Sequence, residues 1–281
     1  MDDTSVLDHY LAPLRPFLEP ADVTEVVINR PGEVGVEADG AWRWTEAPEL
    51  TEAWLRTLAV AAAAYTRQDV GPEQPICSTT LPGDVRCQIV LPPVAADGGL
   101  SLTLRKPSRR RLGLEDFAAA GLFDEVADAQ AEATDLVDAE LIRLRQAGDW
   151  PAFLTLAVTA RRNILISGAT GSGKTTLAKG LIELIPDQER LLTIEDTREF
   201  VVPHRNVVHL VYSKDGQGLA RIGPKQLLES ALRMRPDRIL LQELRDGTAF
   251  FYLRNVNSGH PGSITTVHAD SAALAFEQLT L

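Results

Sequence analysis

The chain is poor in cysteine, in basic charge and in long apolar runs. Only Cys77 and Cys87 occur among 281 residues. Two cysteines exclude a disulfide scaffold, and there is no C-x-x-C pair to hold a zinc ion. They fall on facing arms of an expected hairpin, where they read as small buried thiols in a reducing compartment. Lys and Arg number 28 against 39 Asp and Glu, a formal net charge of −11. That balance excludes a general nucleic-acid coat, because phosphate backbones select basic surfaces, and no sequence-specific nucleic-acid binding is expected. No apolar run nears the roughly 18 residues of a membrane span; the best stretch is Leu58 to Tyr65. The Met-Asp-Asp start has no charged-then-apolar leader, so a cytoplasmic protein is expected. What is present is a globular composition, 44% hydrophobic and 24% charged, in a chain long enough for two domains.

The first part reads as a mixed α/β domain, residues 1–118. Val6 to Leu18 has helical spacing broken by Pro13 and Pro16. Val23 to Asn29 is a β-branched run, and two hairpins are expected around Asp39-Gly40 and Pro82-Gly83-Asp84. Trp54, Leu55, Leu58, Ala61, Ala62 and Tyr65 share one helical face, and Leu100 to Leu104 reads as a further strand. Residues 119–150 read as an acidic helical linker, with Leu122, Val126, Ala129, Ala133, Val137, Leu141 and Leu144 at helical spacing. Gly148 is its stop, and Asp149-Trp150-Pro151 starts the next helix with proline at the first position. Just before the linker, Arg109, Arg110 and Arg111 form a basic cluster, suited to an acidic partner or lipid headgroups, or else simply solvated. From 151 to 281, apolar strands alternate with helical patterns, which predicts a mostly parallel sheet covered by helices.

The strongest motif is Gly168-Ala169-Thr170-Gly171-Ser172-Gly173-Lys174-Thr175, followed by Thr176. It fits G-x-x-x-x-G-K-[ST], after an apolar strand and before a helix. Glycines admit the backbone shapes that aim N–H groups at phosphate oxygens, and the helix N-terminus adds to the field. Lys174 is placed to reach the β- and γ-phosphates, and Thr175 to ligate Mg²⁺. The expected cofactors are therefore ATP and Mg²⁺. Two strand-end acids are candidates for the Mg²⁺ shell or the attacking water: Glu195, with Asp196, after Leu191 to Ile194, and Glu243 after Ile239 to Gln242. Acids at the C-terminal ends of parallel strands share the edge that binds ligands, though a strand-end acid can equally cap a helix. His260 and His268 flank a glycine-rich turn and a short strand, with no ligand spacing for a metal.

Four segments occur in order: 168–176, Thr193 to Thr197, Leu232 to Arg245, and 258–268. Together they resemble the Walker A, Asp, Walker B and His boxes of the secretion ATPase superfamily. Val23 to Gly32, Leu102 to Ser108 and Gly148 to Leu154 look more loosely like the conjugation-type (type IV) secretion traffic ATPases. The resemblance implies an N-terminal α/β domain, a linker and a RecA-like ATPase domain assembled as a hexameric ring. It implies a cytoplasmic ATPase, peripheral at the inner membrane face, with inner-membrane secretion components as partners. A type II secretion or pilus ATPase is the alternative branch, disfavoured by the lack of a four-cysteine zinc module. A nucleotide-gated platform with little turnover is the alternative activity, and a metabolite kinase a weaker one. Carried over by position, Lys174 and Thr175 bind nucleotide, Glu243 acts on the Mg²⁺ shell through water, and Glu195 orients the attacking water; the division between the two acids stays open. His260 and His268 lie near the phosphates or a subunit interface, and Arg105 reaches the nucleotide from outside the ATPase core. Gln242 departs from the family's usual glycine and Thr248 from its usual acid. The chain also ends early against the family, at Leu281 after a helix opens at Ser271, so a shortened ATPase domain is expected.

Overall fold

A computed structural model describes residues 3–96, 99–108, 113–124, 126, 136–245, 247–257 and 259–280. The chain begins with helix α1 (Asp3–Leu11), a short 3-10 turn at the proline-broken stretch, and α2 (Arg15–Leu18). Strands β1 (Val23–Ile28), β2 (Gly32–Ala38) and β3 (Ala41–Ala47) precede helix α3 (Glu52–Tyr65). Then come β4 (Ile76–Leu81), β5 (Val85–Val90) and β6 (Ser101–Arg105). The six strands form one antiparallel sheet in the order β3-β2-β1-β6-β5-β4.

Period-two alternation gives this sheet two different faces. Val26, Ile28, Leu102, Leu104, Cys87 and Ile89 pack with Leu7, Leu14, Leu55, Leu58 and Ala62 of the helices. Thr51 caps α3 by accepting the Trp54 N–H, which fixes where that apolar stripe begins. The opposite face carries Glu25, Glu37, Gln88 and Thr103, all buried although polar. They are buried because the second half of the chain lies on them.

That second half starts with α4 (Leu114–Ala119), α5 (Leu136–Ala147) and α6 (Trp150–Thr159). A single helix through Leu122 and Val126 is not found. Gly121 turns the chain at φ 78, and Leu122 and Val126 are exposed outside any helix. Glycine takes that conformation without steric cost, so the local signal wins over the apolar spacing. Ala129, Ala133 and the cluster Arg109 to Arg111 lie outside the described residues. Helix α5 buries Leu141 and Leu144, and Asp138 pairs with Arg162 just beyond α6 at 2.9 Å. Asp149 caps α6 through the Ala152 N–H.

The rest alternates: β7 (Ile164–Ser167), α7 (Lys174–Ile182), β8 (Leu191–Glu195), β9 (Val207–Val211), α8 (Pro224–Ala231), β10 (Arg238–Leu241), β11 (Glu243–Leu244), α9 (Thr248–Val256), β12 (Ile264–Val267) and α10 (Ala272–Gln278). All of these strand pairs are parallel, in the orders β10-β8-β9 and β11-β12-β7. The fold is therefore α/β with helices on both faces of the parallel layer. Val158, Ile166, Ala178 and Ile182 fill one side. Leu192, Leu228, Ile239 and Tyr252 fill the other, joined there by Val90 and Val94 of the first half. The free edge of β9 is covered by residues 94–96: the Ala96 N–H donates to His209 O and the Val211 N–H to Val94 O.

Candidate functional site

Parallel strands place their C-terminal ends along one edge, and four of them end in candidate residues there. The phosphate loop follows Ser167, His268 follows Val267, Gln242 and Glu243 follow Leu241, and Glu195 ends β8. The loop itself is shaped by glycine. Gly173 caps α7 at φ 89, and a side chain on Gly168 would sit 2.5 Å from the Ser172 hydroxyl. Thr175 and Thr176 stand in the first turn of α7, whose N–H groups have no partner within the helix. A cavity of about 470 Å³ opens beside the loop, lined by Ala169, Thr170, His268, Asp270 and Leu274.

Lys174 and His268 link the loop to Glu243. The Lys174 ammonium donates to Gly168 O at 2.8 Å and Ala169 O at 2.9 Å, and stands 3.5 Å from His268 Nδ1. His268 Nε2 is 2.9 Å from Glu243 Oε1. The ring thus donates from Nε2 and keeps Nδ1 as an acceptor toward the lysine. His268, which lines the cavity, is 48% exposed and Glu243 behind it 15%, so neither is sealed. The other oxygen of Glu243 is held by Arg245, whose Nε donates at 2.7 Å and whose second nitrogen also pairs with it. Arg245 in turn donates to Asp196 Oδ2 at 2.9 Å. The hydrogen bond to Glu243 pushes the Arg245 guanidinium above its ordinary value, so it stays a cation here. Sequence reasoning assigned Arg245 no role. A cation two residues after a strand-end acid is the signal that could have found it.

Glu195 is placed differently. It is fully buried, and both its oxygens are occupied. Oε2 accepts the Glu199 N–H at 2.7 Å and the Phe200 N–H at 2.8 Å, while Oε1 accepts the Thr193 hydroxyl at 2.8 Å. His209 Nδ1 donates to that hydroxyl from the adjacent strand at 2.8 Å. Burial alone would raise the Glu195 carboxyl, but His209, whose Nδ1 stands 3.6 Å from Oε1, and the hydrogen bonds from the Phe200 and Glu199 amides and Thr193 outweigh it and hold it below its ordinary value. In this arrangement its oxygens hold the 196–200 turn and present no surface to a water.

His260 is not brought to the loop. It precedes β12 while His268 follows it, so the strand separates them by roughly 13 Å at about 3.3 Å per residue. Its Nδ1 bonds Pro236 O at 3.0 Å, just before β10, at the edge opposite the phosphate loop. Of the two histidines expected near the phosphates or a subunit interface, only His268 stands beside the loop within this chain. Burial lowers the His260 pKa, against the pull of the Pro236 carbonyl.

Arg105 is not brought there either. It projects from β6, 66% exposed, with Nε 3.5 Å from Glu25 Oε1. It lines a cleft of about 1330 Å³ with Arg86, Lys106, Glu25, Glu37 and Arg235. No residue of the phosphate loop lines that cleft. Glu25 forms its floor, almost fully buried, with Oε2 lacking a hydrogen-bond partner among the described residues. Burial pushes the Glu25 carboxyl from 4.5 up to about 7, opposed by Arg105. The folded chain thus keeps a proton that the unfolded chain gives up. The stabilisation is complete below about pH 4.5 and is lost as pH rises through about 7. Glu25→Gln is therefore expected to be more stable than the parent at pH 8, by on the order of 2 kcal/mol, and no more stable at pH 4.5. Urea melts at both pH values check this; an equal difference at the two would refute it.

Residues 145–280 match the family model described as "Type II/IV secretion system protein". Among curated proteins, the chain is 53% identical to the type IV secretion system protein VirB11 of Bartonella henselae, over 96% of this chain and 79% of that protein. It is 44% identical to protein VirB11 of Agrobacterium tumefaciens, over 96% of this chain and 79% of that protein. Among solved structures, it is similar to the crystal structure of the VirB11 ATPase from the Brucella suis type IV secretion system in complex with sulphate. The TM-score there is 0.92 at 44% identity, covering 98% of this chain and 83% of the other.

Proposed function

The chain belongs to the VirB11 family of type IV secretion system ATPases, and on that premise we propose that the loop 168–176 binds ATP with Mg²⁺ and that Lys174, Thr175, Glu243 and His268 serve its hydrolysis. The observation that carries this reading is the contact chain Lys174–His268–Glu243 beside one cavity at the C-terminal strand edge. Phosphate oxygens are charged acceptors and compete well with the neutral carbonyls that Lys174 now engages. Mg²⁺ favours oxygen donors and is usually held by one or two side chains plus substrate phosphates. The Thr175 hydroxyl and Glu243 carboxylate fit that donor set, and among the described residues there is no cluster of three ligand-type side chains. When bound, the ion neutralises charge on the transferring phosphoryl group. Glu243 orients the attacking water, His268 fixes Glu243 relative to the lysine, and Glu195 keeps the adjoining turn in place.

Steady-state phosphate release tests this. Glu243→Gln is expected to lower kcat about a hundredfold, in the range of a lost general base, while a fluorescent ATP analogue still binds. Undiminished release would sink the assignment. Binding without measurable release by the parent chain would instead favour the nucleotide-gated platform.

We further propose the working parts 1–118, 119–150 and 151–281, and a homo-hexameric ring. Arg105 supports the ring. The cleft it lines touches the ATPase half at Arg235, before β10, opposite the phosphate-loop edge. In this reading Arg105 meets the nucleotide of a neighbouring copy, since the cleft it lines in its own chain includes no residue of the phosphate loop. Native mass measurement with a nonhydrolysable ATP analogue should show six chains, and a persistent monomer would refute this. Docking on inner-membrane secretion components, from the cytoplasmic face, completes the proposal. No helix among the described residues is long and apolar enough to cross a membrane.

A further inference from the structure

The segment 238–244 changes partner at a single residue. As far as Leu241 it pairs with β8, and from Glu243 it pairs with β12. Gln242 stands at the change and is tied in three directions. Its N–H donates to Ile194 O at 3.0 Å, continuing toward β8. Its carbonyl accepts the Thr266 hydroxyl at 2.8 Å, toward β12. Its side-chain Oε1 accepts the Asp196 N–H at 3.1 Å. That last bond is a matter of side-chain length, because a glycine or alanine at 242 offers no oxygen to this amide.

The bond closes a loop of contacts. Asp196 holds Arg245, Arg245 holds Glu243, and Glu243 adjoins Gln242 in the chain. We propose that Gln242 is a positioning residue for ATP hydrolysis: its side-chain carbonyl clasps the Asp196 amide and so fixes Arg245 and the orientation of Glu243. Among the described residues the hydrogen bonds of Gln242 go to Asp196, Thr266 and Ile194 and none to the phosphate loop or His268, so its effect falls on turnover and not on nucleotide capture. The inference rests on the assignment of Glu243 to hydrolysis.

Two variants test it. Gln242→Met keeps the length and removes the acceptor, whereas Gln242→Glu keeps an acceptor oxygen at the same reach. Two readouts are taken: kcat and KM for ATP, and hydrogen exchange of the Asp196 amide in protein without nucleotide, localised by fragmentation of the 191–199 peptide. Gln242→Met should lower kcat about fivefold with KM unchanged, the rate equivalent of one neutral hydrogen bond. The Asp196 amide should exchange about fivefold faster in the same variant. Gln242→Glu should restore the slow exchange and most of the kcat. Parent-like exchange in Gln242→Met, a change confined to KM, or equal losses in both variants would overturn the proposal. Should the parent release no phosphate, the hydrolysis reading fails by itself, and the exchange measurement still decides whether the clasp exists.

Discussion

Replacing Lys174 by alanine is expected to abolish phosphate release, by on the order of a thousandfold, the upper range for removing one preorganised donor from a developing charge. Two features of the site argue for the high end. The ammonium is the cation closest to the loop's own carbonyls, 2.8 Å from Gly168 O and 2.9 Å from Ala169 O. It also stands next to His268 and, through it, Glu243, so its loss removes a charge and a fixed point for the neighbouring ring. The fold should not suffer. The loop is shaped by glycine conformations and by the start of α7, and Ala178, Leu181 and Ile182 keep the helix packed. Melting within a few degrees of the parent, together with lost turnover, is the expected pair of results. Substantial residual release would mean that another cation carries the phosphoryl charge.

Much of this site was legible in the sequence because its parts are local. The loop 168–176 carries its own conformational signature, and Ile164 to Ser167 and Leu191 to Glu195 form strands where their apolar runs predict them. The linker was less legible, since apolar spacing through Leu122 and Val126 competes with a glycine that ends the turn. The two histidines could not be told apart by composition. Only their positions before and after β12 send one to each sheet edge. Glu195 and Glu243 likewise look alike as strand-end acids. The amides of Glu199 and Phe200, and Thr193 with its partner His209, take up the first, while the second keeps some exposure beside His268. Gln242 reads in the sequence only as a departure from the family's usual glycine, yet its side chain makes a hydrogen bond to a residue 46 positions away. Arg105 depends on how the halves dock, which no local pattern encodes.

Arg190 is a buried centre of that docking, and Arg190→Met is the most damaging substitution expected for the fold. Arg190 lies just before β8, fully buried between the halves. Its Nε donates to Met234 O at 2.8 Å, one terminal nitrogen to Asn29 Oδ1 at 2.8 Å and to Asn206, and the other to Thr103 Oγ1 at 3.3 Å. Methionine fills much of the space but donates nothing, so several buried acceptors on both sides lose their partner. It also removes the cation that sits among Glu25, Glu37 and Asp237. Breaking such a buried polar centre costs about 3 to 5 kcal/mol, or a fall in melting temperature of roughly 10 °C for a chain of this size. Lysine should recover only part, because a single ammonium cannot span Asn29, Asn206 and Thr103 together. A second consequence separates this account from simple loss of packing. Arg190 is one of the charges that lower the Glu25 carboxyl, against the burial that raises it. Its removal should move the folded-state Glu25 titration further up, so the pH-dependent loss of stability, which starts near 4.5 in both proteins, runs on to a higher pH in the variant than in the parent. An unchanged Glu25 titration in a destabilised Arg190→Met protein would mean that Arg190 acts through its shape alone.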